Sequence, residues 1–286
     1  MPIRDVTIHP VAGLIGAEIT GLDLAEPPDD ATTNILRGAL AEYLVIFIRD
    51  QKLDMAAHKR LTEAFGPIMR VPYVTPSRED PDVLAVLKEA EETKVSVFGG
   101  DWHADFSFLE SPPAGSVLYA IEVPPYGGDT LWANQIAAYE TLPDDLKAIV
   151  DASRAVHVGT PYGVKHAPAP DTATSRSIEI TRGDPEADRE TFHPAVCAHP
   201  PSGRRTLFVN PIYTTRLEGP QGADDPEILR RLYAHAVRPE FTCRFRWTPG
   251  AVAIWDNRAT LHYAINDYDG HRRLLYRTTF AGDRPQ

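Results

Sequence analysis

The sequence predicts a mainly β fold, a barrel or sandwich with helices packed on it, and three observations carry that prediction. Strand-like runs are short, numerous and punctuated by Pro and Gly: residues 6–8, 14–19, Val45–Ile48, 83–87, Gly115–Glu122, 206–210, 241–247, Val252–Asp256 and Arg273–Phe280. Helical stretches do not alternate regularly with these runs, which argues against a parallel α/β layout. No linker-like segment divides the chain, so residues 1–286 read as one domain.

Each element has a local reason. Pro27-Pro28-Asp29-Asp30 stops the chain and offers an N-cap for a helix over 31–43, where Ile35, Leu36, Leu40 and Tyr43 recur at helical spacing. Val45-Ile46-Phe47-Ile48 is uninterruptedly apolar and reads as a buried strand, after which Asp54 caps a second helix ending near Phe65-Gly66-Pro67. Residues 68–100 carry Pro72, Pro76 and Pro81 and read as loop around the strand at 83–87, with the charged stretch 88–94 as a solvated turn. Further helices are expected over 133–151 and 225–236. Residues 159–205 are rich in Pro, Gly, His and Arg, and a long irregular segment of this kind is read as a lid-like insert.

Composition narrows the function. A charge of -11 supplies no basic face for a nucleic acid, whose binding needs phosphate neutralisation, although a few buried arginines could still receive a small anion. Cys197 and Cys243 are far apart with no Cys-x-x-Cys spacing, as expected of buried free thiols in a reducing cytoplasm. The N-terminus lacks the apolar core of a signal peptide, and no apolar run reaches the roughly 20 residues of a membrane span.

The chemistry is concentrated in a few places. In Trp102-His103-Ala104-Asp105-Phe106, after Gly99-Gly100, alternation on a strand would project His103 and Asp105 from one face. A third ligand must come from elsewhere, and His262, about 160 residues on, is the best candidate. Two histidines and a carboxylate form the facial triad of non-haem Fe(II) oxygenases. An isolated His-x-Asp also occurs as a surface pair or a hydrogen-bonded turn. On the strand Arg273–Phe280, Arg273, Leu275 and Arg277 share a face. Two guanidinium groups turned inward would be costly without anions; turned outward, they would simply be solvated. His157, His166, His193, His199, His235 and His271 have no partner at ligand spacing and read as surface or hydrogen-bonded core residues. Trp255 reads as packing and Asp129 as a turn carboxylate.

Four separated motifs then occur in order: Gly100-Asp101-Trp102-His103-Ala104-Asp105, Pro124 to Trp132 through Gly127-Gly128-Asp129-Thr130, Trp255-Asp256-Asn257-Arg258 with Leu261-His262, and Arg272-Arg273 with Arg277. Together they resemble the taurine dioxygenase family over almost the whole chain. The stretches Arg189-Glu190-Thr191-Phe192-His193-Pro194 and Leu207-Phe208-Val209-Asn210 are similar to its aryloxyalkanoate (dichlorprop-type) branch. The resemblance implies a double-stranded β-helix (jelly-roll) core of the clavaminate synthase-like type. It implies Fe(II) on His103, Asp105 and His262, and 2-oxoglutarate and O2 as cosubstrates. Arg273 and Thr130 would hold the distal carboxylate of 2-oxoglutarate, and Arg277 would face the acidic group of a small organic substrate. Hydroxylation of that substrate, with release of succinate and CO2, would follow, and a C–O or C–S bond at the hydroxylated carbon could then break. A homo-oligomer is also expected from the resemblance.

The sequence departs from the taurine enzymes at two pocket positions, where Val71 and Gly99 stand in place of a His and an Asn, so the expected substrate is another acid than taurine. Phe106 and Tyr213 match aromatic pocket positions, Phe106 only if the strand bends after Asp105. Two other readings use the same residues: a zinc hydrolase, which would lack a general base and leave Arg273 unexplained, and a catalytically silent small-anion-binding protein, in which damage to the triad would be expected.

Overall fold

The computed structural model describes residues 6–93, 96–165, 177–220 and 222–286. Among these residues strands predominate over a few helices. The largest sheet has seven strands in the spatial order Thr7–Pro10, Ala17–Thr20, Val45–Ile48, Val252–Asp256, Gly115–Glu122, Arg273–Phe280, Leu84–Lys88. All its pairings are antiparallel except that of Ala17–Thr20 with Val45–Ile48. A second sheet places Thr130–Asn134 between Thr242–Phe245 and Thr260–Ala264.

Alternation explains why the central strands read as continuous apolar runs. Val45 and Phe47 belong to one core cluster with Trp132, Phe245, Trp247 and Trp255, between the two sheets. Ile46 and Ile48 face a different cluster, with Leu36 and Leu40 of the helix Asp30–Tyr43 and Ala57 and Leu61 of the helix Met55–Glu63. A strand buried on both faces has no polar side to show. Phe47 stacks on Phe245 at 4.1 Å across the gap between the sheets. The expected caps are made: Asp29 accepts from the Thr32 amide at 2.8 Å and Asp54 from the Ala57 amide at 2.6 Å.

Three expectations need correction. The helix expected over 133–151 is two helices, Gln135–Glu140 and Asp144–Asp151, preceded by a strand that ends at Asn134. Asn134 caps the first through its Oδ1, which accepts from the amides of Ile136 and Ala137, and Pro143 separates the two because it has no N–H and disfavours helix at Leu142. The charged stretch 88–94 is not a solvated turn where it is described. Lys88 is buried with Nζ on Asn266 Oδ1 (2.8 Å) and Asp269 Oδ1 (2.7 Å), and the buried Glu92 accepts from the amide and hydroxyl of Ser177 at 2.6 and 2.9 Å. The insert at 159–205 is not irregular throughout. Residues 166–176, including His166, lie outside the described residues, but Thr191–Pro194 joins a sheet with Arg154–His157 and Thr214–Glu218, and Val196–Ala198 pairs with Arg205–Leu207.

Cys197 and Cys243 are buried and unbridged, and burial pushes both thiols up to about 12. No helix among the described residues is long and apolar enough to cross a membrane.

Two buried histidines make stability depend on pH. Burial lowers His58 from 6.5 to about 4 and, with help from His193, lowers His157 to about 3. Between those values and 6.5 the unfolded chain binds more protons than the folded one, so stability is full above about pH 6.5 and falls as the pH drops. Each histidine is expected to remove about 2 kcal/mol of unfolding free energy between pH 7 and pH 5. Urea denaturation at the two pH values should show a smaller drop for His58→Gln than for the wild type; an identical drop would contradict this.

Candidate active site

The main-chain pairing of His103 with His262 brings the two distant segments together. Each donates its amide to the other's carbonyl, at 3.1 and 2.9 Å, in a narrow antiparallel pair that sets the side chains on neighbouring positions. Their imidazole centroids are 4.1 Å apart. Asp105 follows at once, with Oδ1 3.5 Å from His103 Nε2 and 3.7 Å from His262 Nε2. All three residues are buried, and one ligand atom from each lies within 4.8 Å of the others.

His103 and Asp105 do not lie on a continuous strand, as alternation assumed. His103 makes a single bridge, Asp105 opens a turn, and Phe106 has a left-handed φ of 47°. That bend turns Phe106 into an aromatic pocket with Phe108, Tyr162 and Tyr213. Asn257 holds the turn: its Oδ1 accepts from the Asp105 amide at 2.7 Å, and its Nδ2 donates to the Asp105 and Pro113 carbonyls at 3.0 and 3.1 Å.

The protonation states suit metal binding. His103 Nδ1 donates to the Asp101 carbonyl at 2.7 Å, which leaves the Nε2 lone pair facing Asp105. Burial, then the neighbouring His103, holds His262 well below the usual imidazole range, so it is neutral. Burial opposes ionisation of Asp105, but Arg277 first, then His262 and His103, outweigh it and keep the carboxyl well below its ordinary range. Two imidazoles and one carboxylate in a dry site are a donor set that would suit a ferrous ion and leave room for other ligands.

The two inward arginines are in different situations. Arg277, 3% exposed, bonds through Nη2 to Asp105 Oδ2 at 2.5 Å and through Nε to Ser116 Oγ at 3.2 Å. Part of the group expected to face the substrate is thus committed to Asp105; Nη1 is not used in these bonds. Arg277 also lines a cleft of about 190 Å³ with Met69, Val71, Val74, Leu84 and Thr279. Arg273, also 3% exposed, makes no ion pair among the described residues, and its Nε is buried without a partner. Burial lowers its affinity for the proton, which Tyr268 and Asp129 oppose. Nearby, Trp247 Nε1 donates to Thr130 Oγ1 at 3.0 Å, which leaves the threonine proton free for another acceptor.

Val71 is half-buried against the aromatic pocket. Gly99 has φ +77°, and a Cβ there would come within 3.1 Å of His103 Cε1. Trp255 lies 5.0 Å from the His262 ring and 5.4 Å from the Arg277 guanidinium, as packing. The described members of the other histidines have ordinary partners: Ser107 for His157, the Leu109 carbonyl for His193, Asp256 and Ser202 for His199, the Ala138 carbonyl for His235 and Tyr126 for His271. Asp129 is more than a turn carboxylate: it is buried and ion-paired with Arg244 at 2.6 Å.

A buried 2-His-1-carboxylate cluster, together with a buried arginine that has no ion pair among the described residues, is the arrangement expected of a dioxygenase that consumes an oxo-acid. Residues 7–279 match the family described as taurine catabolism dioxygenase TauD, TfdA. The chain is 37% identical to an α-ketoglutarate-dependent sulfate ester dioxygenase of Pseudomonas putida, over 98% of this chain and 91% of the relative. It is 28% identical to an (S)-phenoxypropionate/α-ketoglutarate-dioxygenase of Sphingobium herbicidovorans, over 96% and 95%. The crystal structure of a taurine dioxygenase from Burkholderia xenovorans superposes with a TM-score of 0.80 at 34% identity, covering 98% of this chain and 92% of that one. The chain belongs to the taurine catabolism dioxygenase (TauD, TfdA) family. It is an enzyme, a dioxygenase dependent on Fe(II), 2-oxoglutarate and O2, and neither the zinc hydrolase nor the silent binding protein.

Sequence reasoning assigned no role to Asn257, Ser116, Trp247 or Tyr162. Asn257 stands in a quoted motif, yet its partner lies 152 residues away and nothing local announces it. Asn257→Ala is expected to weaken Mn(II) affinity about 10-fold or more, because Asp105 loses its backbone clamp. Calorimetric titration of the metal-free protein checks this; unaltered affinity would show that the clamp is dispensable.

Proposed function

We propose that His103, Asp105 and His262 hold the ferrous ion, that Arg273 and Thr130 bind the distal carboxylate of 2-oxoglutarate, and that the prime substrate is a small sulfate ester. The observation that carries this reading is the split use of Asp105, one oxygen toward the two imidazoles and the other on Arg277. We infer further that the seven-stranded sheet and the sheet that carries His262 form the faces of a double-stranded β-helix, within one dioxygenase domain in which Tyr162 packs against Phe106 beside the site.

When bound, iron with 2-oxoglutarate and O2 supplies oxidative decarboxylation to succinate and CO2 and conversion of a substrate C–H to C–OH. The protein supplies position. Arg273 gives the oxo-acid carboxylate a bidentate partner in a dry setting, and Thr130, already accepting from Trp247, adds a donated proton. Arg277 steadies Asp105 and offers Nη1 toward the cleft lined by Met69, Val71, Val74 and Leu84, where an anionic head with a short apolar body fits. Phe106, Tyr162 and Tyr213 exclude water from the other side. Val71 and Gly99 provide no polar side chain for a substrate amine, which favours an apolar body over taurine. The sulfate ester class is supported by the 37% identical relative that carries that description. Hydroxylation of the carbon bearing the ester oxygen gives an unstable adduct; its C–O bond breaks, the hydroxyl proton is lost, and a carbonyl compound and sulfate leave.

A screen of short sulfate esters, sulfonates and carboxylates for succinate release, with Fe(II) and 2-oxoglutarate supplied, should favour the sulfate esters; preference for carboxylates would overturn the substrate class. Asp105→Ala should abolish turnover with every substrate, and wild-type rates would rule out the triad. Arg273→Ala should raise the KM for 2-oxoglutarate about 10-fold to 100-fold, while Arg277→Ala should raise that of the prime substrate. Equal effects of both variants on 2-oxoglutarate alone would refute this division.

A further inference from the structure

We propose that Tyr268 is a third anchor for the cosubstrate, its phenol proton donated to the distal carboxylate of 2-oxoglutarate beside Arg273 and Thr130. Tyr268 is 1% exposed, and its Oη is buried with no hydrogen-bond partner at ordinary geometry among the described residues. Arg273 Nε is orphaned in the same way, and the two side chains line one cavity. The guanidinium carbon lies 5.8 Å from the Tyr268 ring centroid.

Two adjacent buried donors, neither satisfied, are costly in a folded protein and point to an acceptor that arrives later. A phenol facing a guanidinium cannot accept a proton from a carboxylate that is already ionised; it can only donate, and the carboxylate has lone pairs for more than one donor. The backbone around it is built to let the two groups meet. Gly128, with φ +67°, lies so close that a Cβ would come within 3.1 Å of Arg273 Cδ and 3.2 Å of Tyr268 Cδ1. Asp267, next to Tyr268, accepts from the Gly128 amide at 2.7 Å and so ties this turn, which leads into Thr130, to the tyrosine's own segment.

The ring and the hydroxyl of Tyr268 have separable tasks. Lys88 Nζ sits 4.5 Å over the ring centroid, an interaction that a phenylalanine would keep. Among the described residues the hydroxyl makes no hydrogen bond at ordinary geometry, and its polar neighbour is the Arg273 guanidinium. Tyr268→Phe therefore removes the proposed donor while preserving the packing.

The proposal rests on the reading of Arg273 as the cosubstrate anchor, and the test separates the two. Calorimetric titration of the Mn(II)-loaded protein with 2-oxoglutarate should give a Kd about 10-fold or more higher for Tyr268→Phe than for the wild type, as expected for loss of a hydrogen bond to a charged acceptor. The melting temperature of the ligand-free variant should equal or exceed that of the wild type, while its rise on adding 2-oxoglutarate should be smaller. The KM for the prime substrate should stay within twofold. Equal Kd values in wild type and Tyr268→Phe overturn the proposal and leave the site reading standing. A lowered melting temperature without ligand, with no change in Kd, assigns the hydroxyl a structural role and also overturns it. If the wild type shows no Mn(II)-dependent affinity for 2-oxoglutarate, the site reading fails and the proposal with it.

Discussion

A carboxylate and a guanidinium buried side by side are tolerated only when each satisfies the other, and Asp105 and Arg277 do so at 2.5 Å, with Ser116 Oγ accepting from the same guanidinium. Removing either partner from such a pair leaves an uncompensated charge and costs about 3–5 kcal/mol. Arg277 lies on the strand Arg273–Phe280, in the large sheet, while Asp105 follows the bridge that joins His103 to His262 in the smaller sheet. The pair therefore pins the two sheets together at the site. It also fixes one oxygen of Asp105, so the other must face the imidazoles. Asn257 adds a second restraint from the main chain.

The same strand carries a charge that has no ion-pair partner among the described residues. Arg273 and Arg277 are four residues apart, on one face and equally buried, yet among the described residues only Arg277 meets an acid. An unpaired buried guanidinium is a standing cost, offset when an anion arrives. The neighbouring donors on Thr130 and Tyr268 share that state of readiness. Under the proposed assignment, binding energy would be directed to the far end of the oxo-acid, where it orients without competing for metal ligands.

Much of the fold was legible because its causes are local. Asp29 and Asp54 cap the helices they were expected to cap, and the apolar run 45–48 is buried on both faces. Failures occurred where a local pattern had a distant partner. Lys88 and Glu92 read as solvent-facing because the groups that satisfy them, Asn266, Asp269 and Ser177, lie far along the chain. The helix expected over 133–151 overlooked that Asn134 can end a strand and cap a helix at once, and that Pro143 divides the stretch. His103, Asp105 and His262 do come together, though strand alternation was the wrong reason for two of them: the chain turns at Asp105 and Phe106.

By itself the sequence determined which chemistry is available: two imidazoles, a carboxylate and two arginines on one strand face, in an order shared with a dioxygenase family. Side-chain type and periodicity are properties of the chain and survive without coordinates. Only the tertiary structure decided which arginine is spent on Asp105 and which is left free. It also decided that Asn257 clamps the turn at Asp105 and that the Tyr268 hydroxyl lies beside Arg273 with no hydrogen bond at ordinary geometry among the described residues. Those outcomes depend on close contacts between segments remote in sequence, and hydrogen bonds act over a few ångströms of space regardless of how many residues lie between the partners.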